Sequence, residues 1–511
     1  MKKYLGLMLL MLAALYAASP LAADPPPAKA PAANAATAPK EQKSVTQGNV
    51  TVGGQKIDYT ATAGTIILKN HDGKPTGSMF YVAYVKNGVQ HESQRPVTFF
   101  YNGGPGSSSV FLHMGAYGPW RVVMNDPHAP AAPYQLVNNE YSLLDVTDEV
   151  FIDAMGTGYS RILGKDKGGV GVPKDFYGVD ADAASFADFI NRYLSQNNRW
   201  MSPKYIYGES YGTTRSALLA DVIHIPLNGV ILQSAVLNFR TASFNAGNDL
   251  PYELFLPTYT ALAWRYHKLA NPPAQADLPA LLKQVQEFAL GPYNEALAAG
   301  NTLSDTQFDA IAQQLSAYTG LSVDYIKKAD LRVTSAEFSH ELLNDQDITI
   351  GRLNAEFSGP SLDPLAESAM YAPDNGAPYA PAFLHYVHNV LKFGRDQDYR
   401  VGNFVKWDYQ HRDRTTAQTW PGLPNVAFNL ADAMKRDPNL QVLVSNGYYD
   451  LGTPYFATVY TMDHLPIPKD LQSHVHMKFY FAGHMMYELT PELKLLHDNT
   501  AAFIRATDNV K

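Results

Sequence analysis

Residues 208–212 have the pattern G-x-S-x-G, which places Ser210 between two glycines. A serine in this pattern acts as a nucleophile when it lies on a sharp turn between a strand and a helix, with its hydroxyl exposed above the sheet edge. The flanking residues favour that arrangement, because residues 204–207 are mostly aromatic or β-branched and residues 213–222 place their aliphatic side chains on one helix face. The sequence therefore predicts an acyl-transfer nucleophile at Ser210.

A glycine-rich loop lies upstream of this serine. Residues 96–101 form an apolar, strand-like run that leads into N-G-G-P-G at residues 102–106. Glycines at a strand end expose backbone N–H groups without side-chain obstruction, and such donors stabilise an oxyanion. We expect the N–H groups of Gly104 and Tyr211 to form an oxyanion hole. The alternative is an ordinary turn, since this composition is also typical of turns.

The acid that completes such a site is expected after a later strand. Residues 441–445 are a strand-like run, and residues 446–450 follow it and end in Asp450. Asp450 would then lie at a carboxyl end of the sheet, where the active sites of α/β proteins form. The alternative is a turn aspartate that bonds its own backbone. Three other aspartates compete, but none directly follows a strand-like run: Asp432, Asp437 and Asp463.

The base is expected between the last strand and the last helix. Residues 475–481 have a strand pattern, residues 482–486 are A-G-H-M-M, and residues 491–507 have helical spacing of apolar side chains. His484 is therefore the predicted base, although a lone histidine is more often structural. The competing histidines fall before or within the strand, or within the helix: His474, His476 and His497.

These residues together predict acyl transfer. His484 would take the proton of Ser210, and Asp450 would fix the imidazole tautomer and stabilise the imidazolium. The oxyanion of the tetrahedral intermediate would bind the backbone donors, and water would then release the acyl group.

The blocks that carry these residues resemble the signatures of the serine carboxypeptidase family, in a form similar to its bacterial members. They are F-Y-N-G-G-P-G-S-S-S at 100–109, F-I-D at 151–153 with G-T-G-Y-S at 156–160, G-E-S-Y-G-T at 208–213, G-Y-Y-D at 447–450 and F-A-G-H-M at 481–485. They occur in the family's order and span residues from about 96 to 490. Residues from about 245 to 400 resemble nothing that we can align.

The resemblance implies removal of single residues from the C-termini of peptides. In the family, an asparagine, a glycine and a glutamate grip the terminal carboxylate of the substrate, and these correspond to Asn102, Gly103 and Glu209. A glutamate can donate a hydrogen bond to a carboxylate only while it is protonated, so Glu209 needs a raised pKa or an acidic medium. We therefore expect an acidic pH optimum.

The chain also departs from the family pattern. The family usually pairs this glutamate with a second one just before a Gly-Pro, whereas residues 116–119 are A-Y-G-P and carry no acid. Two close carboxyl groups raise each other's pKa, so the loss of one should weaken the preference for acid. Ser107 and Phe100 replace the family's cysteine and tryptophan. These changes leave the triad intact and bear on carboxylate recognition and substrate choice.

The elements around these blocks predict an α/β-hydrolase fold, with a mostly parallel central sheet flanked by helices and an inserted, mainly helical cap. Runs at 57–68 and 78–86 predict a hairpin, so the sheet should begin with antiparallel strands. Strands near 97–101, 149–153, 204–208 and 229–233 then alternate with helices such as residues 180–194. We expect a core over residues 45–244 and 401–511, interrupted by a cap at 245–400 whose stretches 278–290 and 305–315 are helical.

The N-terminus predicts export. Two lysines precede an apolar run over residues 4–18, and small residues follow at Ala22 and Ala23, which is typical of a secretory signal peptide over residues 1–23. About 15 apolar residues are too few to span a bilayer, which takes about 20. Residues 24–44 then form a Pro- and Ala-rich leader. With no cysteine in the chain, a bacterial periplasm or exterior is the expected location.

The composition of the chain excludes several classes of function. The 511 residues are 46% hydrophobic and carry a net charge of −8, so the chain is globular and offers no basic surface for nucleic acid. The sequence has no metal-ligand spacing such as H-E-x-x-H and no nucleotide-binding glycine loop, so we expect neither metal nor cofactor. The alternatives left open are an esterase or acyltransferase on the same fold and an inactive envelope protein that binds peptide ends. Oligomeric state and the preferred terminal residue also stay open.

Overall fold

The computed structural model describes residues 38–124, 131–366, 378–403, 405–412, 419–420 and 422–510. The predicted signal peptide and residues 24–37 of the predicted leader lie outside these described residues. Within the described ranges, no helix is long and apolar enough to cross a lipid bilayer.

One large mixed sheet runs through the molecule, and three short two-stranded sheets lie outside it, over the part of the chain that the structure describes. The strands are β1 Lys43–Val52, β2 Gln55–Lys69, β3 Pro75–Lys86, β4 Val97–Tyr101, β5 Trp120–Val122, β6 Leu136–Asn138, β7 Asp148–Ile152, β8 Arg161–Ile162, β9 Lys204–Glu209, β10 Gly229–Gln233, β11 Ile348–Ile350, β12 Ser358–Pro360, β13 His411–Arg412, β14 Thr419–Trp420, β15 Gln441–Gly447 and β16 Val475–Tyr480.

The large sheet has the strand order β1-β2-β3-β7-β4-β9-β10-β15-β16, with β8 paired to β3. Strands β1, β2 and β3 are antiparallel to their neighbours, and β3 also pairs antiparallel with β7. The remaining six strands of the order, β7, β4, β9, β10, β15 and β16, run parallel to one another. The predicted hairpin and the predicted parallel core are both confirmed. Because the parallel strands share a direction, their carboxyl ends meet at one edge of the sheet.

Both faces of the sheet are buried. Phe99 lies in an apolar cluster on one face and Phe100 in a cluster on the other, and Ile206 and Tyr207 divide in the same way. Successive side chains of a strand point to opposite faces, so a strand covered on both sides must be apolar throughout. This is why β4 and β9 have continuous rather than alternating hydrophobic patterns.

Helices cover these faces. In the described ranges they are α1 Val179–Gln196, α2 Tyr211–Val222, α3 Leu250–Arg265, α4 Leu278–Phe288, α5 Asn294–Ala299, α6 Asp305–Thr319, α7 Val323–Lys328, α8 Ser335–Glu341, α9 Tyr379–Asn389, α10 Ala427–Arg436, α11 Tyr455–Asp463 and α12 Thr490–Thr507. Helices α1, α2 and α10 pack on one face of the sheet, and α9 and α12 pack on the other. The predicted helix at 180–194 is α1, which buries Phe186, Phe189, Ile190 and Tyr193.

A third apolar cluster lies within the segment between β10 and β15. Helices α3 to α8 contribute most of it, and residues that follow β15, such as Tyr448, Leu451 and Phe456, also belong to it. The helices predicted at 278–290 and 305–315 correspond to α4 and α6, and α6 begins at a capping box between Ser304 and Gln307. Helix α9 differs from α3 to α8, because it packs against the sheet rather than in this third cluster. The boundaries of a cap at 245 and 400 stay a prediction.

Candidate active site

Ser210 occupies the turn between β9 and α2. Its φ of 59° and ψ of −128° are an uncommon and strained conformation for a residue with a side chain. The turn is tight on both sides, since a Cβ on Gly208 would collide with the Gly212 carbonyl oxygen, and a Cβ on Gly212 would lie 2.9 Å from the Tyr101 carbonyl oxygen. The backbone N–H of Ser210 donates to the Gln233 carbonyl oxygen at 2.9 Å, which ties the turn to β10. Neither Gly208 nor Gly212 therefore has room for a side chain.

Asp450 and His484 form a buried pair. The Nδ1 atom of His484 lies 2.7 Å from Oδ2 of Asp450, and Asp450 is fully buried. The carboxylate also accepts hydrogen bonds from the backbone N–H groups of Gly452 and Thr453, at 2.8 and 2.9 Å, and from the Thr453 hydroxyl at 2.6 Å. These donors fix the carboxylate, and the carboxylate in turn fixes the imidazole ring with Nδ1 as the proton-bearing atom.

The charges around His484 favour its protonated form more than water does. Burial alone would lower the pKa of this imidazole, but the negative charge of Asp450 and its hydrogen bond outweigh burial and raise the pKa above its ordinary value. An imidazolium that is stabilised by a fixed carboxylate is what a base needs after it has accepted a proton.

The histidine loop is bonded to the strand next to the serine. The carbonyl oxygen of His484 accepts from the Ser234 hydroxyl at 2.8 Å and from Nε2 of Gln233 at 3.3 Å. The backbone carbonyl of Gln233 also accepts a hydrogen bond from the Ser210 N–H, so Gln233 contacts both Ser210 and His484. Neither Gln233 nor Ser234 was singled out from the sequence, because each is an ordinary residue at the end of β10.

The predicted oxyanion loop lies against the start of α2. A Cβ on Gly103 would collide with the backbone nitrogen of Tyr211 and would lie 2.7 Å from that of Gly212. Gly104 has a φ of 104°, a conformation that favours glycine. The loop thus packs at Gly103, the residue before Gly104, against the N-terminus of α2 at Tyr211, where backbone N–H groups and the helix dipole favour negative charge.

Asn102 and Glu209 are hydrogen-bonded inside the protein. Nδ2 of Asn102 donates to Oε1 of Glu209 at 2.8 Å, and Oδ1 of Asn102 accepts from the Leu112 N–H at 3.0 Å. Nε2 of Gln233 donates to the other Glu209 oxygen at 3.2 Å. Burial raises the pKa of Glu209 to about 7, against the opposing effects of His484 and of the neighbouring donors. Glu209 therefore gains or loses its proton near neutral pH.

A segment that the sequence did not single out is hydrogen-bonded to both the loop that carries Asp450 and the loop that carries His484. Residues 352–357, here called the strap, lie between β11 and β12. On the aspartate side, the Arg352 carbonyl accepts from the Leu451 N–H at 3.1 Å, and the Ala355 N–H donates to the Tyr449 carbonyl at 3.2 Å. On the histidine side, the His484 N–H donates to the Leu353 carbonyl at 2.9 Å.

Side chains of the strap complete this attachment. Oδ1 of Asn354 accepts from the Met485 N–H at 2.8 Å, and Oε1 of Glu356 accepts from the Gly483 N–H at 2.8 Å. A Cβ on Gly483 would lie 2.6 Å from strap atoms, so only glycine fits there. Burial raises the pKa of Glu356 to about 8. No motif could have revealed the strap, because its contacts depend on how the segment between β10 and β15 folds back.

The competing residues lie elsewhere. Asp432 forms an ion pair of 3.6 Å with Arg436 on the surface of α10, and Asp463 ends α11. His476 contacts Gln441 at the beginning of β15, at 2.9 Å, and His497 on α12 contacts its neighbour Asp498. The described structure places His484 against Asp450 and links Ser210 and His484 through Gln233, and none of these four alternatives takes part in those contacts.

Comparison with known proteins adds independent information. A family model described as serine carboxypeptidase matches residues 55–485. The pheromone-processing carboxypeptidase KEX1 of Saccharomyces cerevisiae is 29% identical over 167 residues, which cover 32% of this chain and 22% of that protein. Serine carboxypeptidase-like 49 of Arabidopsis thaliana is 27% identical over 187 residues, covering 36% of this chain and 32% of that protein. The chain thus aligns with no more than about a third of the length of these curated relatives.

The fold has a solved counterpart. The crystal structure of KEX1(delta)p, a prohormone-processing carboxypeptidase from Saccharomyces cerevisiae, superposes with a TM-score of 0.53 at 16% identity. The superposition covers 89% of this chain and 93% of that one, so the likeness extends over nearly the whole molecule and concerns the fold.

Proposed function

The chain belongs to the serine carboxypeptidase family, and from that membership we propose that it releases single residues from the C-termini of peptides. Ser210, Asp450 and His484 form the triad of this proposal. The observation that carries it is the buried 2.7 Å contact between His484 and Asp450 at the sheet edge where Ser210 occupies its strained turn. The three residues follow three different strands of one parallel sheet, which supports a triad and which a structural histidine would not require.

The proposed reaction proceeds through an acyl-enzyme. Nε2 of His484 takes the Ser210 proton as the hydroxyl oxygen attacks the carbonyl carbon of the last peptide bond. The backbone N–H groups of Gly104 and Tyr211 stabilise the oxyanion of the intermediate. His484 then protonates the leaving amine, the terminal residue departs, and water attacks the acyl-enzyme with His484 again as base.

The terminal carboxylate is proposed to bind beside this triad. Asn102 supplies a side-chain amide, Gly103 a backbone N–H, and Glu209 a carboxyl proton. A Glu209 pKa of about 7 means that this proton is present below pH 7 and is lost as the pH rises through 7. The raised pKa of His484 acts in the opposite sense, because the neutral base is lost as the pH falls. The pH optimum is therefore expected between acidic and neutral values.

The decisive experiment compares C-terminal release from an N-blocked dipeptide with a free carboxylate and from its amide. Release would be followed from about pH 4 to about pH 8, with Ser210→Ala as control. We expect release from the free acid only, and none in the variant. Cleavage of esters without release from the free acid would contradict a carboxypeptidase and favour an esterase or acyltransferase. No reaction of Ser210 with a phosphonate probe would favour a binding protein.

The last part of the proposal is that the enzyme is exported from the cytoplasm. Residues 1–23 direct the chain across a bacterial inner membrane and are removed, and the enzyme then acts on peptides in the periplasm or outside the cell. The support is the basic, apolar and small-residue order of this segment. Fractionation of expressing cells, with N-terminal sequencing of the product, tests it. An uncleaved chain in the cytoplasm would contradict it.

A further inference from the structure

The carboxylate site of this chain lacks a group that the family pattern supplies. The run A-Y-G-P at residues 116–119 has alanine where the family has its second glutamate, and Ala116 is fully buried. The next residue does not fill the gap, because the Tyr117 hydroxyl contacts the hydroxyls of Tyr207 and Thr500 in the core, at 3.1 and 3.2 Å. If the proposed function holds, another side chain must complete the recognition of the substrate carboxylate.

Tyr487 lies beside this gap. It belongs to the turn Met486–Glu488, three residues after His484, and only 3% of it is exposed. Its ring rests on Gly115, where an added Cβ would lie 2.7 and 2.8 Å from two ring carbons. Glycine at position 115 therefore makes the space that the Tyr487 ring occupies, directly next to Ala116.

The Tyr487 hydroxyl faces Glu209. The phenol and the Glu209 carboxyl interact electrostatically, each shifting the pKa of the other. A side-chain hydrogen bond to Glu209 contributes to these shifts, but its geometry is poorer than that of an ordinary hydrogen bond, and the buried hydroxyl has no better partner among the described residues. A buried hydroxyl with a poorly aligned partner loses free energy, which a ligand with an acceptor oxygen would recover. The neighbouring phenol of Tyr379 differs, because its hydroxyl donates to Oε1 of Glu488 at 3.3 Å.

We propose that the Tyr487 hydroxyl is a specificity-determining donor that binds the terminal carboxylate of the substrate together with Asn102 and Glu209. It takes the place of the missing second acid from a different part of the chain. Binding of the carboxylate gives the hydroxyl a better aligned acceptor than Glu209 provides in the free protein.

Tyr487 and Glu209, the two ionisable donors of this site, differ in their response to pH. Burial raises the pKa of Tyr487 well above its ordinary value, so the phenol keeps its proton wherever the enzyme is folded and active. Glu209, with a pKa of about 7, loses its proton near neutrality. Tyr487 therefore sustains carboxylate binding at a pH where Glu209 no longer donates.

The test is Tyr487→Phe, which removes one oxygen and preserves the ring on Gly115. We expect kcat/KM for an N-blocked dipeptide with a free carboxylate to fall about 10- to 100-fold, mainly through KM, because one hydrogen bond to a charged group is lost. An ester substrate without a terminal carboxylate should change less than about 3-fold. Activity of the variant toward the free acid should also fall more steeply above pH 7 than that of the wild type.

Tyr379→Phe is the matched control, since it removes the same atom from the adjacent ring and should leave the ratio of the two substrates unchanged. An equal loss on both substrates, or the same selective loss in the control, would overturn the role of Tyr487. The proposed function fails separately, because in that case the wild type itself would release nothing from the free acid.

Discussion

The two ends of the central sheet differ in what they do with their polar residues. At the carboxyl ends of the strands, Glu209, Asp450 and His484 are buried beside the partly buried Ser210, and hydrogen bonds join Asp450 to His484 and Glu209 to Gln233. At the amino ends, an open groove of about 1310 Å³ lies between the beginnings of β10, β15 and β16 and the end of α12. Its lining includes His224, His474 and His476.

The difference shows that neither volume nor the presence of histidines identifies the reactive end. Among the described residues, none of the three groove histidines forms an ion pair with a carboxylate, and His476 has a pKa lowered by burial and by the nearby His474 and Lys478. At the other end a single histidine is held by a fixed carboxylate and has a raised pKa. Coupling between buried groups from different strands, rather than space, is therefore the reason to propose this end of the sheet as the catalytic site.

The test with the largest expected effect replaces one histidine at each end of the sheet. His484→Ala removes the base, and we expect kcat for C-terminal release to fall about 10⁶-fold. His476→Ala makes the same change beside the groove and should alter kcat less than about 2-fold. Single-turnover release of the terminal residue measures both. Comparable losses in the two variants would remove the distinction between the ends.

The carboxylate partner of His484 can be tested in the same way. Asp450→Asn keeps the shape but turns a proton acceptor into an amide, which favours the wrong imidazole tautomer, so kcat should fall about 10⁴-fold. Asp432→Asn on the surface of α10 is the control and should be neutral. An activity of Asp450→Asn close to that of the wild type would point to another acid.

The strap should have an intermediate effect. Glu356→Ala leaves the buried Gly483 N–H without its acceptor, and we expect kcat to fall about 5- to 100-fold through displacement of the histidine loop. Glu356→Gln retains an acceptor, and since burial raises the pKa of Glu356 to about 8, glutamine resembles the protonated side chain present at pH 7. This variant should be nearly silent at pH 7. Equal damage by both substitutions would show that the carboxyl group itself is needed.

The smallest effect concerns pH. KM of the wild type for a free-acid peptide should rise as the pH increases through 7, because Glu209 then loses the proton it donates. Glu209→Gln cannot ionise, so its KM should stay flat over the same range, with a difference of about 10-fold at pH 8. Initial rates at several substrate concentrations and pH values measure this. A parallel rise in both proteins would assign the titration to another group.

Much of this reactive end could be predicted from the sequence because its residues follow recognisable strands. Ser210 directly follows β9, and Asp450 and His484 come three and four residues after the ends of β15 and β16. Parallel strands bring such positions to one edge whatever the details of packing.

The remaining contacts could not be predicted, since each depends on segments that meet only after folding. Gln233 and Tyr487 carry no motif, and their contacts with Glu209 come from neighbouring strand ends and from a turn nearly 280 residues away. The strap lies in a stretch in which the sequence shows no recognisable motif. Packing of α9 against the sheet, apart from α3 to α8, is likewise a property of the assembled chain.

The strap also makes the proposed site depend on late parts of the chain. The backbone of residues 352–357 joins the Asp450 loop to the His484 loop. A chain synthesised from its N-terminus presents Ser210 before Asp450 and His484 have been made. On the proposed function, an unfinished chain therefore lacks its acid and base and is inactive toward the peptides around it.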